Sequence, residues 1–385
     1  MKRMAVLLLC LSLCLSGCAS RQLEEQLLVI SLGLDKMEDG HIRLSVKVPS
    51  NSGSSGGGQS GGGEEGASSG GDQMGYLLLE ATGRAFSDAM NVLHATTPRT
   101  LNFSQIREVV FGEAAAADKD FADMLEAVIS LPRIRENAAL VACKGDANTF
   151  IEAQKPYVGI RLSRYIETTL LNYAGKGFVP NTFLGRAVQD LRYGFQDPLL
   201  IYGAINTFAN APAEEKNALD AKAGTLARKS VNKVELFGAA ATDGVSVSGV
   251  LTGYEMALLH LVQGDVQYLN IQAGDGLAIP IFAVCPATLG VKMGETPVRL
   301  TVRLVCEAHL LPDEPADAEA LRTVLERDIT AAIGHLQALR CDGLGFGNIA
   351  VRSFATVQEW ESISWRDRYT SAQVDVQVTV HMRKE

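Results

Sequence analysis

Cys18 is the residue whose chemistry its neighbours define best, because it closes Leu15-Ser16-Gly17-Cys18 directly after an apolar stretch from Met4 to Leu15. Lys2 and Arg3 precede that stretch, which is shorter than the roughly 20 apolar residues of a membrane-spanning helix, and this order reads as an export signal. Small residues before the cysteine let a peptidase approach the chain closely, and a thiol is the nucleophile that can carry a diacylglyceryl group. The reading is a lipoprotein signal peptide over residues 1–17 and a mature protein that begins at a lipidated Cys18. Two acyl chains, at about 0.8 kcal/mol per buried CH₂, hold a protein on a bilayer where a single chain is marginal.

Other reactive side chains do not converge. His41, His94, His260, His309, His335 and His381 stand singly, with no metal-ligand spacing. The pairs Glu24-Glu25, Glu64-Glu65 and Glu214-Glu215 lie in polar surroundings where solvated carboxylates are the ordinary outcome. Gly66-Ala67-Ser68-Ser69-Gly70 matches a nucleophile elbow, and Gly56 to Gly61 matches a dinucleotide fingerprint. Both mechanisms require a strand before the motif and a helix after it, so inside a Gly/Ser tract the matches are chance. Asp342-Gly343-Leu344-Gly345-Phe346-Gly347 raises a phosphate or ion site, since a Gly-rich turn can aim N–H groups at an anion. The same glycines suit the end of a long helix and a reversal into a strand near Ile349, and that structural reading is favoured. No catalytic, cofactor-binding or metal residue is assigned.

Trp360 and Trp365 are five apart, so one helix would not present both on one face; a Trp left exposed is a candidate partner contact. Cys10 and Cys14 leave with the signal, and Cys143, Cys285, Cys306 and Cys341 remain, with no C-x-x-C among them. Export permits a disulfide but this spacing demands none.

These residues sit on a chain of 385 with 47% hydrophobic content, enough for two or three domains with cores of their own. Net charge is −9, and −11 once Lys2 and Arg3 are removed, which argues against nucleic acid and against an electrostatic grip on anionic lipid. Residues 18–208 form an N-terminal domain in which strands and helices alternate, with a Gly/Ser-rich loop over 50–72 and a sub-boundary near 150. Predicted helices there include Ala85 to His94, Ala114 to Ser130 and Ala147 to Ala153; predicted strands include Ile106 to Gly112 and Ala138 to Lys144. Residues 209–232, polar and Ala-rich, read as a linker to a C-terminal domain over 233–385. There a long strand from Val298 to Leu310, a helix from Ala316 to Leu339 and an alternating strand around Val374 to Val380 follow one another. The expected class is a multidomain α/β and α+β protein, with mixed sheets each packed with helices and a C-terminal antiparallel sheet carrying one long helix.

The order of several segments resembles the Ger(x)C lipoproteins, the C subunits of bacterial spore germinant receptors. They are Cys18 with Arg21, Ser31-Leu-Gly33-Leu-Asp35, Leu101-Asn102-Phe103-Ser104-Gln105, Val109-Val-Phe-Gly112-Glu113-Ala114, Phe237-Gly238-Ala239-Ala240, Gly249, Cys341 to Gly347, and Trp360 with Trp365. The Gly/Ser run from Ser50 to Gly71 is long for the loop such proteins carry there. The resemblance implies a non-enzymatic subunit on the outer face of the spore inner membrane, held by a diacylglyceryl anchor on Cys18. It also implies membrane-embedded A and B subunits as partners and a role in nutrient-triggered germination. A membrane-tethered solute-binding lipoprotein, with a ligand between two lobes, is the second reading, and an exported hydrolase a more distant third. Cys18→Ala is expected to leave the fold intact while moving the protein from the membrane to the soluble fraction; retention on membranes without lipid would remove the anchor.

Overall fold

Glu108–Gly112 and Ala139–Cys143 are buried at every position, and strands of that kind need covering layers on both faces. The computed structural model describes residues 25–49, 75–156, 162–206, 219–228, 232–266, 268–271, 279–310 and 317–384. The signal, Cys18, Arg21, the Gly/Ser-rich loop and half of the expected linker lie outside the described residues. In chain order the strands are β1 (Gln26–Leu28), β2 (Ser31–Lys36), β3 (Ile42–Pro49), β4 (Tyr76–Gly83), β5 (Thr100–Asn102), β6 (Glu108–Gly112), β7 (Ala139–Cys143) and β8 (Leu199–Ile205). They continue with β9 (Val234–Thr242), β10 (Val247–Leu251), β11 (Leu269–Ile271), β12 (Ile279–Ala283), β13 (Thr288–Lys292), β14 (Arg299–Leu310) and β15 (Gln373–Lys384). The helices are α1 (Phe86–Thr96), α2 (Glu113–Ala116), α3 (Phe121–Ile129), α4 (Ala147–Ala153), α5 (Leu162–Gly175) and α6 (Leu184–Tyr193). After them come α7 (Gly253–Gln263), α8 (Ala318–Ala338), α9 (Gly347–Ala350), α10 (Val357–Ser362) and α11 (Trp365–Thr370).

The first sheet has eight strands in the order β10-β9-β8-β7-β6-β2-β3-β4. Its centre, β8-β7-β6-β2, is parallel, and antiparallel strands extend it on both sides. The period of two sends Val109, Phe111, Leu140 and Ala142 to one face, where Leu93, Leu125, Leu184 and Val188 of α1, α3 and α6 pack. Val110, Val141 and Cys143 face the other way, onto Phe150, Ile151 and Ile166 of α4 and α5. The predicted single helix from Ala114 to Ser130 is broken into α2 and α3. Asp118 binds the Lys36 ammonium with one oxygen and the Asp120 N–H with the other at 2.9 Å, an Asx turn that competes with helix.

Two expected boundaries are crossed by this sheet. It does not break near residue 150, since β7 and β8 pair directly, and it does not end at 208, since β9 pairs with β8 and β10 with β9. β9 is buried at all nine positions because it has strands on both sides. That pairing is set by a partner more than twenty residues upstream, which local composition does not reveal.

The second sheet is built on β14. β12 and β13 pair antiparallel with it, β11 adds to β12, and β15 runs along its full length from Arg299↔Gln373 to Leu310↔Lys384. The β14/β15 pair is parallel, which corrects the expected all-antiparallel C-terminal sheet: the intervening α8 is the crossover that a parallel pair needs. Leu321, Leu325, Ile329, Ile333 and Leu336 line the buried stripe of α8, and Leu300, Val302 and Leu304 of β14 share its core. Ile329→Ala is expected to lower unfolding free energy by about 2–5 kcal/mol, read as a lower denaturant midpoint; a loss below about 1 kcal/mol would mean the stripe is not core.

Candidate functional site

Neither tryptophan is an exposed contact. Trp360 and Trp365 are each 7% exposed, with ring centroids 5.8 Å apart. The expectation of one outward Trp fails because they belong to separate short helices, α10 and α11, joined through Ser364 at φ 49°, so a single helical wheel does not apply. Trp365 is instead part of the most densely bonded polar cluster in the C-terminal half.

The centre of that cluster is Asp342, 3% exposed, in the turn after α8. Its Oδ1 accepts the Gly345 and Phe346 N–H groups at 3.0 and 2.9 Å, and its Oδ2 accepts the Gly347 N–H at 2.6 Å and Trp365 Nε1–H at 3.0 Å. The glycine-rich turn does aim its N–H groups at an anion, and the anion is its own aspartate. This geometry winds residues after Gly347 into α9, so the strand expected near Ile349 is a helix. Gly347 must be glycine, since a Cβ would sit 2.4 Å from the Phe195 carbonyl oxygen.

The cluster also joins the two sheets. Asp197, just before β8, accepts the Asp342 N–H on Oδ2 at 2.8 Å and Arg366 on Oδ1 at 2.6 Å. Its own N–H donates to the Asp342 carbonyl at 3.2 Å. Gln196 donates to the Gly343 carbonyl at 3.2 Å and accepts from Asn348 at 3.0 Å. Around it Leu199 and Leu251 share one core with Leu344 and Phe346. Burial pushes the Asp342 carboxyl up to about 6, with the Gly347, Trp365 and Phe346 donors pulling down and the Asp197 charge pushing up. Asp197 is raised by burial as well, opposed mainly by Arg366.

A second buried set lies in the first sheet. Lys47 is fully buried, donates to the Ile151 and Gln154 carbonyls at 2.6 and 2.5 Å, and has its ammonium 4.1 Å from the Tyr76 ring centroid. Desolvation lowers it to about 8, against the pull of Glu108. Glu108 accepts from Ser31 at 2.7 Å and Gln154 at 3.1 Å, and burial raises it. Asp35, from the Ser31 to Asp35 segment, caps α4 by accepting the Ala147 and Asn148 N–H groups at 2.6 and 3.1 Å, and it also binds Arg43. Of these residues the sequence marked Trp365, as a candidate partner contact, and the Gly spacing after Asp342, which was favoured as a turn; Lys47, Glu108 and Asp197 carried no mark. Among the described residues no group of His, Cys, Asp and Glu is placed to hold a metal, and Cys143, Cys285, Cys306 and Cys341 are free thiols, all but Cys285 buried. Chemically, each cluster can hold backbone segments together.

Comparison with known proteins is consistent in kind across the chain. The "Spore germination protein N-terminal domain" family matches residues 19–205, and the "Spore germination B3/ GerAC like, C-terminal" family matches residues 298–385. A relative in Bacillus subtilis (strain 168), "Putative spore germination protein YfkR", is 21% identical over 386 residues, covering 96% of this chain and 92% of the relative. The solved structure titled "Crystal Structure of the GerBC protein" superposes with a TM-score of 0.52 at 14% identity, covering 91% of this chain and 96% of that one, and so shares the fold.

Asp342 supplies the test of the junction. In the unfolded chain its carboxyl titrates near 3.8 and in the folded one near 6, so between these pH values the folded form holds a proton that the unfolded form has released. Its contribution to stability therefore falls as pH rises from about 4 to 6, by about 3 kcal/mol. Asp342→Asn, which turns one acceptor into a donor facing the Gly347 and Trp365 N–H groups, is expected to be destabilised most at pH 4 and less so at pH 7. Denaturation of both proteins across that range checks this, and a gap that widens with pH would reverse the sign.

Proposed function

The chain belongs to the Ger(x)C family of spore germination proteins, and from that premise we propose that it is the lipid-anchored, non-enzymatic C subunit of a germinant receptor. On this reading it works beside membrane-embedded A and B subunits, on the outer face of the spore inner membrane. The observation that carries the proposal is the ordered pair of family matches, one for each end of the chain, at residues 19–205 and 298–385. The first match starts at the residue after Cys18, which supports a mature chain beginning at that cysteine with a diacylglyceryl anchor. No helix among the described residues is long and apolar enough to cross a membrane.

A scaffold role agrees with how the buried ionisable groups are used. Asp342, Asp197, Asp35 and Glu108 each accept hydrogen bonds from groups within the chain. The alternative of a solute held between two lobes finds no support at the junction, where Leu199, Leu251, Leu344 and Phe346 share one hydrophobic core. A body whose two sheets are locked together this way is suited to passing a displacement from one membrane partner to another.

Spores lacking this gene are expected to release dipicolinate normally with a trigger that bypasses nutrient receptors, and to lose release with one or more nutrients. A normal response to every nutrient would count against the receptor assignment.

A further inference from the structure

Among the described residues β15 is an edge strand along its whole length. It pairs on one side with β14, whose other side carries β12 and β13. The Gln373 N–H donates to the Val298 carbonyl, so odd-numbered residues of β15 direct their backbone groups toward β14 and even-numbered ones direct theirs outward. Val374, Val376, Val378, Val380 and Met382 thus offer outward N–H and C=O groups. Among the described residues one of these has a partner: Glu326 of α8 accepts the Val378 N–H at 3.0 Å. An open edge of this length is a template for another strand.

The sequence of the strand says which one. Reversed on itself about Thr379, β15 sets Asp375 opposite Arg383, Gln377 opposite His381 and Thr379 opposite Thr379 on the solvent face. The same register sets Val376 opposite Met382 and Val378 opposite Val380. These even pairs are the ones whose backbone groups point outward, so the register is compatible with the antiparallel ladder. Two-fold symmetry makes the Asp375–Arg383 ion pair twice. In the single chain Asp375 has no basic partner among the described residues, while Arg383, 63% exposed, reaches Glu307 at 2.8 Å on the same face. We infer that β15 is the seam of a homodimer, formed by antiparallel addition of β15 from a second copy centred on Thr379. Glu326 is the counterweight, since its carboxylate must release the Val378 N–H before the Val380 carbonyl of the second copy can take it.

Cross-linking in membranes from cells expressing the full chain tests this, in a Cys285→Ser background that removes the exposed native thiol. Facing residues of a non-hydrogen-bonded antiparallel pair have Cα atoms about 4.5 Å apart, inside the disulfide range of about 4.4–6.8 Å. Thr379→Cys is expected to give a disulfide-linked dimer as the main species under mild oxidant, whereas Gln377→Cys alone stays monomeric. Gln377→Cys mixed with His381→Cys is expected to link. Val380→Pro removes an outward N–H without touching the β14 ladder, so it is expected to abolish the Thr379→Cys dimer while the chain still unfolds in one cooperative transition. Glu326→Ala is expected to increase it. Equal linking by Thr379→Cys and Gln377→Cys, or no linking by Thr379→Cys even with Glu326→Ala, would overturn the inference.

Discussion

The relation between the two halves of the molecule depends on one buried carboxylate. Asp342 gathers three backbone N–H groups and an indole N–H, and its own N–H is held by Asp197 just before β8 of the first sheet. In a site this dry an unpaired donor costs about 1–3 kcal/mol, so the turn from Gly345 to Gly347 is stable in this shape only while the acceptor is present. Because Asp197 and Arg366 complete the set, the end of α8, the start of α11 and the strand β8 cannot move independently.

The same device recurs where other segments meet. Asp35 at the end of β2 holds the first N–H groups of α4, and Gly112 is required beside it because a Cβ there would fall 2.1 Å from the Asp35 oxygen. Glu235 of β9 accepts the Gly224 N–H at 2.7 Å and binds Arg228, tying the segment before β9 to the sheet. Asp35 satisfies backbone of a helix distant in sequence, whereas Glu235 and Asp342 satisfy nearer turns and are held in place by side chains from other segments. Burying such a charge is costly unless donors surround it, and here turns and helix starts supply them. The apolar layers set how closely the elements pack, and the carboxylates set how they are oriented.

Much of the layering was readable because burial pattern and chain period coincide. β6, β7, α4 and the stripe of α8 follow from runs of residues such as Val109-Val-Phe111 or Leu321, Leu325, Ile329 and Ile333. What was not readable is pairing. The alternation in β15 is identical for a parallel and an antiparallel neighbour, so the sequence could suggest a strand but not its direction. β12 contains Pro280 and β11 has three residues, which leaves too little pattern to mark either. β9 was seen as a strand and assigned to the wrong side of a boundary, since its partner is chosen by long-range fit. For the candidate site, the glycines of the Asp342 turn were visible, whereas the links from Asp342 to Trp365 and to Asp197 depend on residues distant in sequence.

Family membership and geometry together limit what this body can contribute to germination. Asp342 and Asp197 are committed to holding the two halves in register, and the overall charge is negative, which disfavours attraction to anionic lipid. A contact with a second chain would draw on outward backbone and surface side chains. Glu326 is informative here: a glutamate of α8 placed on an outward N–H of β15 is a common means of restraining an exposed strand edge. A restraint on one donor among several would slow pairing without forbidding it, which suits a seam that forms where copies are concentrated on one membrane and stays open where they are dilute.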